Sequence, residues 1–169
     1  MESVIRTLDE LVEKKIIIDY AIGGATALMY FSAPTLTEDI DVFVYLPQGR
    51  ALVDLSPVYE HLRSFKGARV EREYVFVDGF PVQILVPYDA LSEEAFRNAI
   101  RVEYGGIPVK ILPLEYLIAI MIQLDRPKYR DRLRVVFEEH TLDEMKLKSI
   151  LRQHLLTTKW ENLRKELGV

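Results

Sequence analysis

The sequence predicts an α+β fold, in which a mixed β-sheet flanked by helices is followed by a C-terminal helical segment. Strand-like and helix-like patterns alternate over residues 1–112, and Asp-Gly and Gly-Gly pairs at 78–79 and 105–106 are typical hairpin turns between strands. Beyond that point every apolar pattern has the helical period. We therefore expect an α/β core at 1–112 and a helical region at 113–169, which either continues the same domain or follows it.

The individual elements follow from apolar spacing and from the residues that bound each pattern. The expected helices cover residues 1–15, 25–32, 51–65, 91–100, 114–124, 128–140, 142–154 and 159–167. The expected strands cover residues 16–22, 39–46, 70–77, 80–86, 101–104 and 107–112. Pro57 either divides the third helix or lies in its first turn.

The composition limits the kinds of protein that this chain can be. It has 169 residues, a net charge of −4 and no cysteine. Disulfides and thiolate metal sites are excluded, and His61, His140 and His154 show no ligand spacing. The charge argues against a surface coated with basic residues, and the charged N-terminus and interrupted apolar runs argue against a signal peptide or a membrane span. A cytoplasmic protein without membrane contact is expected.

The most informative stretch combines a glycine pair with two aspartates. Gly23 and Gly24 lie at a strand-to-helix junction, where the backbone can approach a ligand and the helix N-terminus offers free N–H donors to a phosphate. Asp39 and Asp41 are two residues apart on a predicted strand, so their side chains point to the same face. Paired carboxylates suit Mg²⁺ (or Mn²⁺), which also binds substrate phosphates. The sequence therefore predicts a metal–nucleotide site.

This stretch resembles the signature of the DNA polymerase beta-type nucleotidyltransferase superfamily, in which a hydrophobic residue with Gly-Gly or Gly-Ser precedes Asp-hydrophobic-Asp-hydrophobic. Its particular form resembles the AbiEii-like group of toxin–antitoxin and abortive-infection systems; the residues that carry this resemblance are Gly23, Gly24, Ala25, Ala27, Leu28, Thr37, Asp39, Ile40 and Asp41. The close match covers residues 21–43, with a weaker similarity of layout elsewhere. The resemblance implies that Asp39 and Asp41 bind the metal that carries a nucleoside triphosphate, and that Gly23 and Gly24 bind its phosphates.

The chain also departs from that pattern. The family places a third carboxylate, which helps to hold the metal and activates the attacking hydroxyl, on a later strand where this chain has Gln83. An amide cannot act as a general base. Gly24 occupies a position that is often serine, which leaves Thr26 as the nearby hydroxyl for phosphate. Met121 and Tyr129 stand where the AbiEii-like group often has lysine and aspartate.

The densest basic segment covers residues 126–134. On a helix, Lys128 and Arg132 share one face, whereas Arg130 and Arg134 share another. The segment either binds nucleotide phosphates or an RNA acceptor, with Lys128 as the candidate contact, or forms an exposed face balanced by the nearby acids Asp131, Glu138 and Glu139. Aromatic residues interleave little with it, so a base-stacking surface is not predicted.

Three functions follow from these observations. The first is an Mg²⁺-dependent nucleotidyltransferase that moves a nucleoside monophosphate from a triphosphate to a hydroxyl of RNA, protein or a small molecule. The second, which Gln83 favours, is a catalytically impaired domain of the same fold that binds a nucleotide or a partner protein, as a toxin–antitoxin component would. The third is a scaffold or antitoxin-like partner that binds neither metal nor nucleotide.

Overall fold

The computed structural model describes residues 1–32, 37–47, 53–65, 68–71, 74–138 and 142–168. Within them lie eight helices and seven strands. The helices are α1 (Glu2–Glu13), α2 (Gly24–Phe31), α3 (Ser56–Arg63), α4 (Ala90–Arg97), α5 (Leu114–Leu124), α6 (Pro127–Glu138), α7 (Glu144–Gln153) and α8 (Thr157–Leu167). The strands are β1 (Asp19–Ile22), β2 (Ile40–Tyr45), β3 (Arg69–Glu71), β4 (Tyr74–Val77), β5 (Phe80–Leu85), β6 (Ile100–Tyr104) and β7 (Ile107–Ile111).

All the strands belong to one sheet, in the order β3-β4-β5-β2-β1-β7-β6. The pairs β2–β5 and β1–β7 are parallel, whereas the remaining neighbours are antiparallel. The predicted α+β class with a mixed sheet is therefore confirmed. The central position of β1 and β2 places the residues that follow β1 and begin β2 near the middle of one sheet edge.

The first strand is shorter than the sequence predicts, because Ile16 and Ile17 hydrogen-bond to the end of α1 and not to a neighbouring strand. Lys15 has a positive φ of 57°, and the N–H groups of Ile16 and Ile17 both donate to the Leu11 carbonyl, at 2.9 and 3.3 Å. These bonds satisfy carbonyl groups at the helix end, as in other left-handed helix terminations. The two isoleucines therefore pack against the core at the end of α1, and their apolar character does not indicate a longer strand.

The stretch at 70–77 was predicted as one strand, and this was wrong. It contains β3 and β4, which pair antiparallel with Glu71 opposite Tyr74, while residues 72–73 lie outside the described part. The following turn agrees with the prediction, since Asp78 and Gly79 have φ values of 52° and 82°, as a type I′ hairpin requires.

The third helix also resolves the ambiguity at Pro57. Helix α3 begins at Ser56, and Pro57 occupies its first turn, where the missing N–H costs nothing. Residues 48–52, where the predicted helix began, lie outside the described part, as do residues 139–141 at the end of the predicted sixth helix.

Helix α5 is the most buried helix of the C-terminal region, and its bounds are those predicted. It packs against α2, α4, α6, α7 and α8. One hydrophobic cluster extends from Val4 in α1 through the sheet to Leu167 in α8. The boundary near Pro113 stays a prediction. None of the helices in the described ranges is both long enough and apolar enough to cross a bilayer.

Candidate active site

The two predicted metal ligands lie at the beginning of β2. Asp41 is half-buried within the strand, and Asp39 immediately precedes it. The carbonyl of Asp41 accepts a 2.8 Å hydrogen bond from the Gly23 N–H, which ties β2 to the end of β1. The glycine pair and the aspartates, which are far apart in the sequence, are therefore neighbours in the fold.

Both glycines are required by close packing. Gly24 has a φ of 55°, and a Cβ at this position would lie 1.8 Å from Oδ2 of Asp41. A Cβ at Gly23 would lie 2.6 Å from the ring of Phe43. Gly24 is also the first residue of α2, so the carboxylate of Asp41 lies against the positive end of that helix. The predicted proximity of a helix N-terminus and an acidic strand is thus present in the structure.

Asp39 is held by two threonine hydroxyls. Thr37 Oγ1 donates to the Asp39 carbonyl at 2.9 Å and contacts its carboxylate at 3.3 Å, and Thr26 Oγ1 donates to the same carbonyl at 3.4 Å. Thr26 lines a separate cavity beside Met29 and Tyr30. The structure therefore gives Thr26 a positioning contact to the aspartate segment, while its contact with phosphate stays a prediction.

The surroundings of Asp41 oppose its negative charge. Burial raises the pKa of Asp41, and the neighbouring Asp39 raises it further, whereas Lys128, Arg132 and Arg126 lower it. Among the described residues, no hydrogen bond reaches the Asp41 carboxylate. A half-buried carboxylate without a donor is unfavourable unless a cation or another partner joins it.

Gln83 lies where the third carboxylate of the resemblance was expected. It is the register partner of Asp41 on the parallel strand β5, and neighbouring strands are ~4.8 Å apart. Both residues line the same pocket. In the described ranges, no group of three or more acidic or histidine side chains could hold a metal. On the β5 side, Asp41 therefore adjoins the amide of Gln83 and not an acid.

These residues line a pocket of about 240 Å³. Its sheet side consists of Gly24, Asp41, Phe43, Gln83, Leu85 and Leu112. Its other side is formed by α5, by the beginning of α6 and by Tyr88 in the segment after β5. Another cavity, of about 340 Å³, lies at the opposite end of β1, where Lys110 pairs with Asp19. That cavity contains neither aspartate of the motif.

The basic segment divides into two groups of residues. Arg126 and Arg132 line the pocket, and the positive charge of Lys128 lowers the pKa of Asp41. By contrast, Arg130 pairs with Glu166 at 2.6 Å, and Arg134 pairs with Asp131 at 3.4 Å. The two groups lie on different faces of the segment, in agreement with the predicted helical spacing, and phosphate binding by the first group stays a prediction. Glu139 lies outside the described residues.

The sequence analysis missed two aromatic residues of the pocket, Tyr88 and Tyr129. Tyr129 lies in the basic segment, where it was noted only as a departure from a related pattern. Its ring centroid is 5.6 Å from Nζ of Lys128 and 5.9 Å from Cζ of Arg132. Tyr88 gave no signal, because its place depends on how the segment after β5 turns into α4. Both residues place aromatic rings beside the basic segment, for which the sequence analysis predicted no base-stacking surface.

The sequence matches no family model and no curated protein. Among solved structures it is similar to an antigenic nucleotidyltransferase-like protein from Paracoccidioides brasiliensis, with a TM-score of 0.53 and 18% identity. The similarity covers 98% of this chain and 90% of that one. The chain has a nucleotidyltransferase-like fold.

The similarity to a second solved structure covers a comparable share of both chains. That structure is ANT(2″)-Ia in complex with adenylyl-2″-tobramycin, at a TM-score of 0.49 and 16% identity over 98% of this chain and 95% of that one. At sequence identities this low, the similarity shows the fold alone. Membership of the AbiEii-like group stays a prediction.

Proposed function

We propose that this chain binds a nucleoside triphosphate with Mg²⁺ or Mn²⁺ and transfers its nucleoside monophosphate to a hydroxyl acceptor. One observation carries the proposal: a single pocket joins the Asp41 carboxylate, the N-terminus of α2 at Gly24 and the cations Arg126 and Arg132. A carboxylate suits the metal ion, whereas the cations and the helix N-terminus suit the polyphosphate that the metal carries.

The residues present fit a divalent metal. Asp39 and Asp41 repel each other, and burial adds to the cost of the charge on Asp41, so a cation between them would be stabilised. The amide oxygen of Gln83 is a neutral donor beside them. An oxygen-only donor set of this kind suits Mg²⁺, which usually takes one or two carboxylates and completes its coordination with water and phosphate.

In the proposed reaction, the acceptor oxygen forms a bond to the α-phosphorus, and the bond from that phosphorus to the bridging oxygen breaks. Pyrophosphate leaves with the electron pair, and the acceptor's proton passes to a base. The metal would neutralise phosphate charge. Arg126, Lys128 and Arg132 would hold the polyphosphate by charge. Among the described side chains that line the pocket, Asp41 is the one carboxylate that could accept the proton.

The test is transfer of label from α-labelled triphosphates. The protein would be incubated with Mg²⁺ or Mn²⁺ and with RNA, with protein including the chain itself, and with small hydroxyl compounds. We expect label in one acceptor class, with a loss of at least about 100-fold in Asp41→Asn and in Asp39→Asn, since each removes a metal ligand. Label transfer that persists in both variants would refute the proposed site.

The position of Gln83 favours a second candidate function. With an amide directly opposite Asp41, the pocket can bind a metal–nucleotide complex without an additional base to start the chemistry. The chain would then be a nucleotide-binding or partner-binding component, for example of a toxin–antitoxin pair. This candidate predicts Mg²⁺-dependent nucleotide binding in calorimetry, weakened by Asp41→Asn, with no labelled product for any acceptor.

One variant separates the two candidates. Gln83→Glu places a carboxylate in register with Asp41. If the lack of a carboxylate general base limits the rate of transfer, label transfer should rise by about 10-fold or more, because general-base catalysis contributes ~10²–10⁴-fold. Gln83→Met, which removes the amide at the same position without adding an acid, is the matched control. A rise confined to Gln83→Glu would show that the wild-type site is impaired.

A further inference from the structure

One wall of the pocket is apolar and belongs to a single helix face. Leu117, Ile120, Met121 and Leu124 of α5 line it, and their spacing of three and four residues brings them into one row. Phe43 continues this apolar surface on the sheet side. None of these side chains carries a hydrogen-bonding group that could recognise the edge of a flat polar ring.

Two tyrosines border this wall, and their hydroxyls have no structural role in the described part of the chain. Elsewhere in the protein, Tyr20 donates to Asp9 at 2.7 Å and Tyr116 donates to Glu94 at 2.8 Å. In contrast, no hydrogen bond to the hydroxyl of Tyr88 or of Tyr129 is found among the described residues. Tyr88 is 61% exposed although its ring is large and apolar. Exposed aromatic rings beside a pocket are typical of ligand contacts.

The cations that suit a polyphosphate lie next to the ring of Tyr129. Lys128 and Arg132 are both within cation–π distance of its centroid. Burial raises the pKa of both tyrosines, and the nearby positive charge of Arg126 opposes that rise. The pocket therefore has a charged end at Asp41 and the arginines, and an aromatic and apolar border beside it. A nucleoside triphosphate has the same two parts, a polyphosphate and a flat ring.

The volume limits what can enter this border. About 240 Å³ is below the roughly 300–1,000 Å³ of pockets that enclose drug-sized ligands, so the pocket would enclose only part of a nucleoside triphosphate and leave its acceptor outside.

We propose that Tyr129 and Tyr88 hold the nucleobase of the bound triphosphate by ring stacking against the α5 wall, and that the pocket therefore accepts all four common bases. This inference rests on the proposed nucleotide binding. Stacking tolerates any base because every base has a π-face, and discrimination requires hydrogen bonds to base edges, which the wall lacks.

The test compares binding of ATP, GTP, CTP, UTP and ribose 5′-triphosphate, which lacks a base, by calorimetry in Mg²⁺. We expect ATP to bind about 10-fold more tightly than ribose 5′-triphosphate, and the four nucleotides to have Kd values within about 10-fold of one another. Tyr129→Ala should weaken ATP binding by about 10-fold and leave ribose 5′-triphosphate binding unchanged. Tyr129→Phe, which keeps the ring, should recover most of the ATP affinity.

Tyr104→Ala is the matched control. Tyr104 is 52% exposed, lies on the outer strand β6 and does not line the pocket, so its removal should change neither affinity. Equal Kd values for ATP and ribose 5′-triphosphate would overturn the inference while leaving the proposed function intact. A Tyr129→Ala variant that weakens both ligands equally, or a preference of more than about 100-fold for one base, would also overturn it. If neither ligand binds, the proposed function fails together with the inference.

Discussion

Two aspartates on either side of the pocket region have opposite surroundings. Asp41, at the beginning of β2, receives no hydrogen bond from the described residues, and burial followed by Asp39 raises its pKa. Asp89 caps α4: its carboxylate accepts from Ser92 N at 2.8 Å, from Ser92 Oγ at 2.7 Å and from Gln123 Nε2 at 2.5 Å. Burial raises the pKa of Asp89 too, but these hydrogen bonds outweigh it, and the pKa is lowered.

The difference separates a residue that stabilises the fold from one that is proposed to bind a ligand. The charge of Asp89 is satisfied within the chain, so its ionised form contributes to stability. The carboxylate of Asp41 accepts no hydrogen bond from the described residues and lies in a pocket with cations on the opposite wall. Unsatisfied, perturbed carboxylates of this kind are typical of functional sites. Four predictions test this difference, beginning with the largest expected effect.

Gly24→Ala should damage both stability and ligand binding. The new Cβ would lie 1.8 Å from Asp41 Oδ2, and the positive φ of 55° adds strain. Left-handed backbone costs ~1–2 kcal/mol and overpacking a further ~1–3 kcal/mol. We expect the free energy of unfolding in urea to fall by about 2–5 kcal/mol and Mg²⁺-dependent ATP binding to be lost.

Gly79→Ala is the control for that variant. Gly79 has a φ of 82°, and a Cβ there would meet nothing within 4 Å. It should lose only the ~1–2 kcal/mol of backbone strain and keep full ATP affinity. If Gly24→Ala is no worse than Gly79→Ala, the close contact between Gly24 and Asp41 is not important in solution.

Asp89→Ala should destabilise the fold without weakening nucleotide binding at saturating ligand. Removing an N-cap costs ~0.5–2 kcal/mol, and the lost Gln123 contact places this variant at the upper end. Because the folded pKa is lowered, the stabilisation is complete above the unfolded value of about 3.9 and is lost as the pH falls below it. Wild type and variant should therefore differ in thermal unfolding at pH 7 and converge in strong acid.

Asp143→Ala is the matched cap variant. Asp143 is exposed and, among the described residues, accepts only from the Lys146 N–H, at 3.0 Å, so its loss should cost less than that of Asp89. An equal loss in both variants would mean that the side-chain bonds around Asp89 add nothing.

The sequence predicted the charged part of this site but not its aromatic part. Gly24 and Asp41 follow a local pattern whose spacing fixes their geometry, so their proximity could be inferred. Gln83 could be placed near the aspartates only through the family resemblance, and the register opposite Asp41 agrees with that placement. Tyr88 could not, since its position depends on tertiary packing of a segment without periodicity. The division of residues 70–77 between two strands was likewise not predicted.

Asp41→Asn should stabilise the metal-free protein while it removes ligand binding. The amide has no charge to bury beside Asp39. A gain near 1 kcal/mol would raise Tm by about 2–4 °C in a chain of this size. Because the folded pKa of Asp41 is raised, its ionisation opposes folding fully above that pKa, and the penalty disappears as the pH falls through it. The gain in Tm, measured in a chelator, should therefore be largest at neutral pH and vanish towards about pH 4. A lower Tm at pH 7 would contradict the comparison.

The smallest effect on stability is expected from the charges of α6, of which Arg132 lines the pocket and Arg130 does not. Arg130 is 42% exposed and pairs with Glu166 and Asp125, so Arg130→Ala should cost at most about 1 kcal/mol and leave ATP affinity unchanged. Arg132→Ala should change Tm by a similarly small amount but weaken ATP binding by about 10-fold, because Arg132 lines the pocket and acts on Asp41. Calorimetry at low and high salt separates the two, since the contribution of Arg132 to phosphate binding should shrink as salt rises. Equal ATP affinities in the two variants would show that the face of α6 does not distinguish ligand contacts from surface ion pairs.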